Sequence, residues 1–300
     1  VIQPNRVVVF SKDKEFCELL EKQIANKLPI QLNPDSIDAN ALVLVDEKGA
    51  PPLSDILKTS PRNLVHWLGR QANSKHIEFI LKHRLNHLIG FDAQRTPYEI
   101  TLLLRKLFAP KIWGLTPYLE DGTLTDGFSL SESKREMVKI NEILKVQNWG
   151  EFFDSPIDYL TLVANELVSN ALYNGPEEKR INQNYPVDRK DPVFLKGNEL
   201  VQVCLGIDSH IVGLSVMDCF GTLTWEKTVE NLHRSFTEKT VQHKKGGAGL
   251  GLYLAFSHAN QFIINRKPSL RTEVICIIEK NRRYKNYKER LKSFHFFEEA

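Results

Sequence analysis

Cysteine is scarce in this chain of 300 residues: Cys17, Cys204, Cys219 and Cys276 stand far apart, and no two form a Cys-x-x-Cys pair. That spacing argues against a zinc ribbon and against a disulfide framework, and it makes a reducing cytoplasm the expected compartment. Long apolar runs are missing too. The longest, such as residues 41–45 and 274–278, fall far short of the ~20 residues that a bilayer span needs, so a soluble protein with no membrane partner is expected. Its first residues, Val-Ile-Gln-Pro, carry no basic segment followed by an apolar one, and no secretory leader is expected. Charge of one sign is nearly absent: 40 Lys+Arg face 37 Asp+Glu, a net +3. That excess is too small for a polybasic nucleic-acid coat, so nucleic acid is not an expected partner. With 42% hydrophobic and 26% charged residues, the composition also excludes wholesale disorder and a collagen repeat.

The length suits two domains, each with its own core. The first hundred residues alternate short apolar runs with helical patterns, which predicts a doubly wound α/β sheet. Strands are expected at 6–10, 41–45 with Asp46 at its end, 63–67 and 87–89. Helices are expected at 14–27, where Phe16, Leu19, Leu20 and Ile24 recur at helical spacing, and at 54–58, 75–85 and 98–108.

This order resembles the receiver domain of bacterial two-component systems, in which an Asp at the C-terminal end of the third strand accepts a phosphoryl group. Asp46 stands at that end. The acidic pair of the family's first strand is here Ser11-Lys12-Asp13, and the last strand runs into Ile89-Gly90-Phe91 with no Lys. The resemblance therefore implies a degenerate receiver-like domain over 1–108, used for docking or dimerisation, including a homodimer, with Asp46 expected to resist phosphorylation; an unusual but working switch at Asp46 is the second reading.

Residues 109–130 hold Pro110, Gly114, Pro117, Gly122 and Gly127 without periodicity and read as a linker. Beyond it, 131–148 has Ser131 as an N-cap and Met137, Ile140, Ile143 and Leu144 as an apolar stripe, and a second helix is expected at 157–173. Strands at 200–207 and 211–217 form an expected hairpin around Asp208-Ser209, 253–262 reads as a helix, and 271–279 alternates as a strand. Helices followed by an antiparallel sheet predict an α+β sandwich over 131–280. The tail 281–300, basic and rich in Tyr and Phe, is expected to pack as an amphipathic helix, with binding to nucleic acid or an acidic surface as the second reading.

Three motifs carry chemistry. Glu166 and Asn170 are four apart on a helix, so they lie on one face about 40° apart; a carboxylate beside a carboxamide oxygen suits a Mg²⁺–phosphate site with a bound water or hydroxyl. Asp218-Cys219-Phe220-Gly221 places a carboxylate at a strand terminus next to a turn glycine. Gly246-Gly247-Ala248-Gly249-Leu250-Gly251-Leu252 then runs into a helical pattern, which lets backbone approach a phosphate at a helix N-terminus. It is neither a Walker A loop nor a dinucleotide G-x-G-x-x-G.

Glu-x-x-x-Asn, Asp-x-x-Gly and Gly-x-Gly-x-Gly in that order resemble the N, G1 and G2 boxes of the GHKL ATPase superfamily, which includes DNA gyrase, sensor histidine kinases and anti-sigma serine kinases. The resemblance implies a Bergerat-type two-layer sandwich that binds ATP and Mg²⁺. Asp218 would recognise the adenine amino group, Asn170 would hold Mg²⁺ and Glu166 would act as base or water-positioner. Gly247, Gly249 and Gly251, with Leu250 among them, would cradle phosphates, and Thr272 would be the adenine-side Thr. Residues 224–245 would form a mobile lid, with Lys244 and Lys245 approaching the phosphates. Where the family has Asp-x-Gly-x-Gly, this chain has Phe220 and Thr222 at the glycine positions and Gly221 between them.

Within that superfamily, fewer than thirty residues follow Ile278, so a gyrase-type transducer is not expected, and the helix 131–148 holds no His of the kind sensor kinases phosphorylate. His76 and His83 read as surface or packing residues, and Cys219 as a buried filler. The expected function is therefore a regulatory serine/threonine kinase of the anti-sigma type. Its expected partner is a regulatory protein such as an anti-sigma antagonist, a sigma factor or a response-regulator-like protein. An ATP-gated binding module without catalysis is the second reading, and a histidine-kinase-like phosphotransferase the third.

Overall fold

A computed structural model of the chain describes residues 6–24, 29–35, 37, 41–46, 65–69, 74–90, 96–108, 111–119, 123–133, 140, 154–176, 192–237, 250–280 and 292–299. The chain is of the mixed α/β class and divides into two compact units, Val1–Ile112 with Leu291–Phe296 and Trp113–Arg290 with Phe297–Ala300.

In the first unit the strands are β1 (Arg6–Phe10), β2 (Ile30–Leu32), β3 (Ala41–Asp46), β4 (Val65–Gly69) and β5 (His87–Gly90), and the helices are α1 (Lys14–Ile24), α2 (Ser74–His83) and α3 (Thr96–Phe108). These five strands pair in parallel in the order β2-β1-β3-β4-β5. Val7, Val8 and Val9 are all buried, as a parallel strand covered on both faces requires; hence β1 reads as an unbroken apolar run. Asp13 starts α1. Its Oδ1 accepts the Phe16 N–H at 3.0 Å, a cap that satisfies an otherwise unpaired helix donor. The acidic side chain of the Ser11-Lys12-Asp13 turn is thus spent on the backbone. Sequence periodicity misses β2, which is too short to alternate. Asn33 secures it from the positive-φ region (φ 43°), with its side chain bonded to both the N–H and the C=O of Ser11 at 3.2 and 3.1 Å. The helix expected at 54–58 lies outside the described residues.

The second unit contains β6 (Thr123–Leu130), α4 (Asp154–Ser169), β7 (Val201–Ile207), β8 (Ile211–Asp218), α5 (Trp225–Thr237), α6 (Leu250–His258), β9 (Gln261–Lys267) and β10 (Arg271–Glu279). Its strands are antiparallel, in the order β9-β10-β8-β7-β6. Helix α4 packs on β8 and α6, and α5 packs on α6. The β7–β8 hairpin follows the sequence: Asp208 Oδ1 accepts the His210 and Ile211 N–H groups at 2.7 and 2.8 Å, an Asx turn.

Three expectations need correction here. Part of the span read as linker is strand β6, whose register with β7 shifts between Thr125 and Phe128; that irregularity around Gly127 hides the alternation. The helix expected to reach Phe262 ends at His258. Asn260 turns the chain, with its N–H on the Ile277 carbonyl at 2.8 Å and its Oδ1 accepting the Glu279 N–H at 2.9 Å, and Phe262 belongs to β9. The C-terminal tail is not helical over its described residues but forms β11 (Ser293–Glu298), as suits a run with three Phe. The helix expected at 131–148 lies almost wholly outside the described residues.

In the first unit, β11 pairs antiparallel with β5, Phe294 opposite Leu88 and His295 opposite His87. The two buried imidazoles meet Nδ1 to Nδ1 at 3.1 Å, and His295 Nε2 lies 2.9 Å from Glu99 Oε1. In the second unit, Glu299 joins Trp113 Nε1 at 2.9 Å, Arg271 at 3.5 Å and Lys267 at 3.7 Å, while Glu298 pairs with Arg266. The Arg271 guanidinium also stacks on Trp113 at 4.0 Å. On the sheet face away from α4, buried Glu273 accepts from Ser215 Oγ at 2.6 Å, Asn265 Nδ2 at 2.8 Å and the Gly114 N–H at 2.9 Å. Burial, and then the Glu273 carboxylate, push the Cys204 thiol up.

Candidate functional site

Antiparallel register brings Asp218, the last residue of β8, directly opposite Thr272 of β10. Facing residues of neighbouring strands share a sheet face, and both side chains line one cavity of about 190 Å³ in the second unit. Each is at least nine-tenths buried. Asp218 Oδ1 accepts the N–H groups of Phe220 at 2.8 Å and Gly221 at 3.3 Å, which orients the carboxylate at the strand end. The Thr272 hydroxyl has no hydrogen-bond partner in its buried position, and an unpaired buried hydroxyl costs free energy. An acceptor and an unsatisfied hydroxyl side by side can bond a ligand that offers a donor beside an acceptor. A cavity of about 150 Å³ suffices for a benzene ring, so this one has the volume of a single aromatic ring.

Helix α4 forms the opposite wall through Leu167, Asn170, Ala171 and Asn174. Leu160, Val163, Leu167 and Val168 are buried, and this packing leaves Glu166 and Asn170 on the remaining arc. The helix then changes pitch: Asn170–Asn174 is a π turn, closed by the Gly175 N–H on the Asn170 carbonyl. Such turns are frequent at functional sites because they aim side chains that regular α-helix would turn away. Asn174 Nδ2 donates to Asn170 Oδ1 at 3.0 Å and orients that carboxamide.

Gly251, in the first turn of α6, joins the third motif to the first. A Cβ at this position would collide with the Glu166 carboxylate and come within 3.4 Å of Asn170 Nδ2. Glycine is the residue that lets α6 approach so closely. Gly221 has φ 66°, and a Cβ there would strike the Lys267 carbonyl; this is the turn glycine of the Asp218 motif. Phe220, which follows Asp218 by two residues, is a core residue. It is fully buried, with its ring against Gly175, so the ring closes the end of the π turn and leaves Asp218 in place.

No protein-family model and no curated protein matches this chain.

The structure thus gathers Asn170, Asp218 and Thr272 around one cavity, with Glu166 and Gly251 in contact beside it and Gly221 in the turn below. Gly247, Gly249, Lys244 and Lys245 lie outside the described residues, and so does the side chain of Leu250. Among the described residues no group of three His, Cys, Asp or Glu side chains is placed to hold a metal. A Mg²⁺ ion here would share its ligand sphere with phosphate oxygens and water, its usual habit.

The segment read from sequence as the start of a mobile lid is helix α5. It is anchored by buried Trp225, Thr228, Val229 and Leu232 and capped by Thr224, whose Oγ1 accepts the Lys227 N–H at 3.3 Å. Lys227 and Asn231 of α5 line the cavity, together with Thr222, Leu223 and Asn174, and sequence reasoning missed all five. A signal for three of them was present: Lys227 and Asn231 are four apart, and Asn174 extends the spacing of Glu166 and Asn170 by another four.

Proposed function

We propose that the second unit is an ATP-binding domain of the GHKL type and that the protein is a regulatory kinase, transferring the γ-phosphoryl group of ATP to a hydroxyl on a partner protein. One observation carries the reading: Asn170 and Asp218, from two motifs far apart in sequence, line one cavity together with Leu252 at the end of the glycine-rich run, and the Thr272 hydroxyl in that cavity is buried without a partner. A ligand that bonds to it relieves a standing cost. Adenine fits, since its exocyclic amine donates to Asp218 and its ring nitrogens accept from Thr272. The first unit, with Asp13 committed to a helix cap, serves docking or dimerisation in this reading, and Asp46 resists phosphorylation.

The chain's groups divide the work of transfer. Asn170, oriented by Asn174, would hold Mg²⁺ through its carboxamide, and the ion would supply neutralisation of the phosphate charge. Glu166 lies one turn earlier, at the α6 N-terminus. It orients the partner's hydroxyl and takes its proton as the hydroxyl oxygen bonds to the γ-phosphorus and the bond to the bridging oxygen breaks, releasing ADP. By the resemblance, the glycine-rich run before α6 would let backbone N–H groups stabilise the charge on the transferred phosphoryl oxygens.

The test couples binding to turnover. Asp218→Asn should weaken ATP binding in calorimetry about tenfold, since an amide N–H facing the exocyclic amine loses that bond, and equal affinity would sink the nucleotide assignment. A partner retained from the source cell in the presence of ATP then serves as substrate. Glu166→Ala should leave nucleotide affinity nearly intact and lower phosphoryl transfer by roughly 10²–10⁴-fold. Tight ATP binding by wild type with no transfer to any retained partner would replace the kinase by an ATP-gated binding module.

A further inference from the structure

The cavity is electrically lopsided. Among the described residues lining it, Asp218 is the one anion and Lys227 the one cation. Asp218 sits at the buried end beside Thr272, whereas Lys227 is solvent-exposed on the first turn of α5. Asn231 stands one turn further along the same helix. Its Oδ1 accepts from the Arg234 guanidinium at 2.8 Å; since a guanidinium only donates, this bond fixes the orientation of the amide and leaves Nδ2 as the group that Asn231 offers the cavity. The α5 wall therefore presents donors only, the Lys227 ammonium and the Asn231 amide, with the Arg234 charge behind. The opposite end offers the Asp218 acceptor.

A cation in the first turn of a helix opposes the macrodipole, and the apolar anchoring of α5 rests on Trp225, Val229 and Leu232, on another face.

We propose that Lys227 and Asn231 select for phosphorylated ligands: they bind the anionic part of a purine nucleotide and make the cavity discriminate against the nucleoside that shares its base. The inference rests on the nucleotide reading of the cavity and adds a specificity role on a helix outside the three motifs. The buried face of α5, through Trp225, Val229 and Leu232, fixes the backbone positions from which Lys227 and Asn231 line the cavity.

The experiment compares ADP and adenosine as probes by calorimetry on the full chain, at low and at moderate salt. Wild type should prefer ADP, and the preference should shrink as salt rises, since the contact is partly exposed. Lys227→Gln should weaken ADP binding about tenfold, equivalent to 1.4 kcal/mol, leave adenosine within about twofold and flatten the salt dependence. Lys227→Arg should restore the preference. Asn231→Leu, which keeps the volume and removes the donor, should lower ADP affinity more than adenosine affinity. A Lys227→Gln protein that loses ADP and adenosine equally, or neither, overturns the selectivity role while the nucleotide site survives. Wild type that binds neither probe overturns the nucleotide reading itself.

Discussion

Gly251→Ala should stabilise the protein while disabling it. The added methyl has no room at its present place, because a Cβ there meets the Glu166 carboxylate and touches Asn170 Nδ2. Ordinary contact needs about 3.5 Å between heavy atoms, so the carboxylate must retreat by more than about 1 Å. It sits at the end of a flexible side chain and can swing aside, so the fold survives. Ala is better than Gly in a helix by up to about 1 kcal/mol, and a gain of that size raises the melting temperature by roughly 2–4 °C in a domain of this size. Misplacing a catalytic group by about 1 Å costs up to 10²-fold in rate. The assay has two arms, thermal unfolding without ligand and phosphoryl transfer with the retained partner. A variant that melts several degrees lower would refute the claim that the clash is with a movable side chain. One that melts higher and transfers phosphate as fast as wild type would refute the role given to Glu166.

Thr272→Val replaces a buried, unpaired hydroxyl with a methyl of similar shape; the nucleotide-free protein should gain about 1–3 kcal/mol in chemical denaturation, while ATP affinity falls, and a loss of stability would mean the hydroxyl is already satisfied. Glu299 is held below its ordinary value of 4.5, first by the Trp113 hydrogen bond, against the upward push of burial, and then by Lys267 and Arg271. Its contribution is complete above about pH 4.5 and is lost as pH falls through the lowered value. Acid titration of tryptophan fluorescence should show this loss in wild type and not in Glu299→Gln, and superimposable profiles would contradict it. His295→Ala removes the imidazole between His87 and Glu99 and should cost about 1–3 kcal/mol for the buried group it exposes, read as a lower denaturation midpoint; an unchanged midpoint would show that the cluster carries no stability.

What local spacing reveals in this chain is considerable. Glu166 and Asn170 lie on one helix face because 3.6 residues make a turn, Asp218 ends a strand because the apolar run before it is buried, and the Asp208 turn is written in four residues. Each is settled within a turn or two of backbone, so the sequence shows it directly. The alternation of β1, β3 and β5 with helices is legible for the same reason. Where the reading failed, the deciding contact lies far off in the chain. Strand β9 looks like the end of α6 until Asn260 bonds to β10, and β11 looks amphipathic until β5 offers it an edge; a short apolar run fits helix or strand equally, and only a partner chooses. The cavity itself depends on such choices. Thr272 faces Asp218 because β10 pairs with β8 in one register and not the next, and a slip of β10 by one residue would turn Thr272 to the other face of the sheet. Lys227 reaches the same space because Trp225, Val229 and Leu232 bury the other side of α5. Residue types and spacings supplied the chemistry, but its assembly at one point was decided by pairing and packing energies that no local window contains.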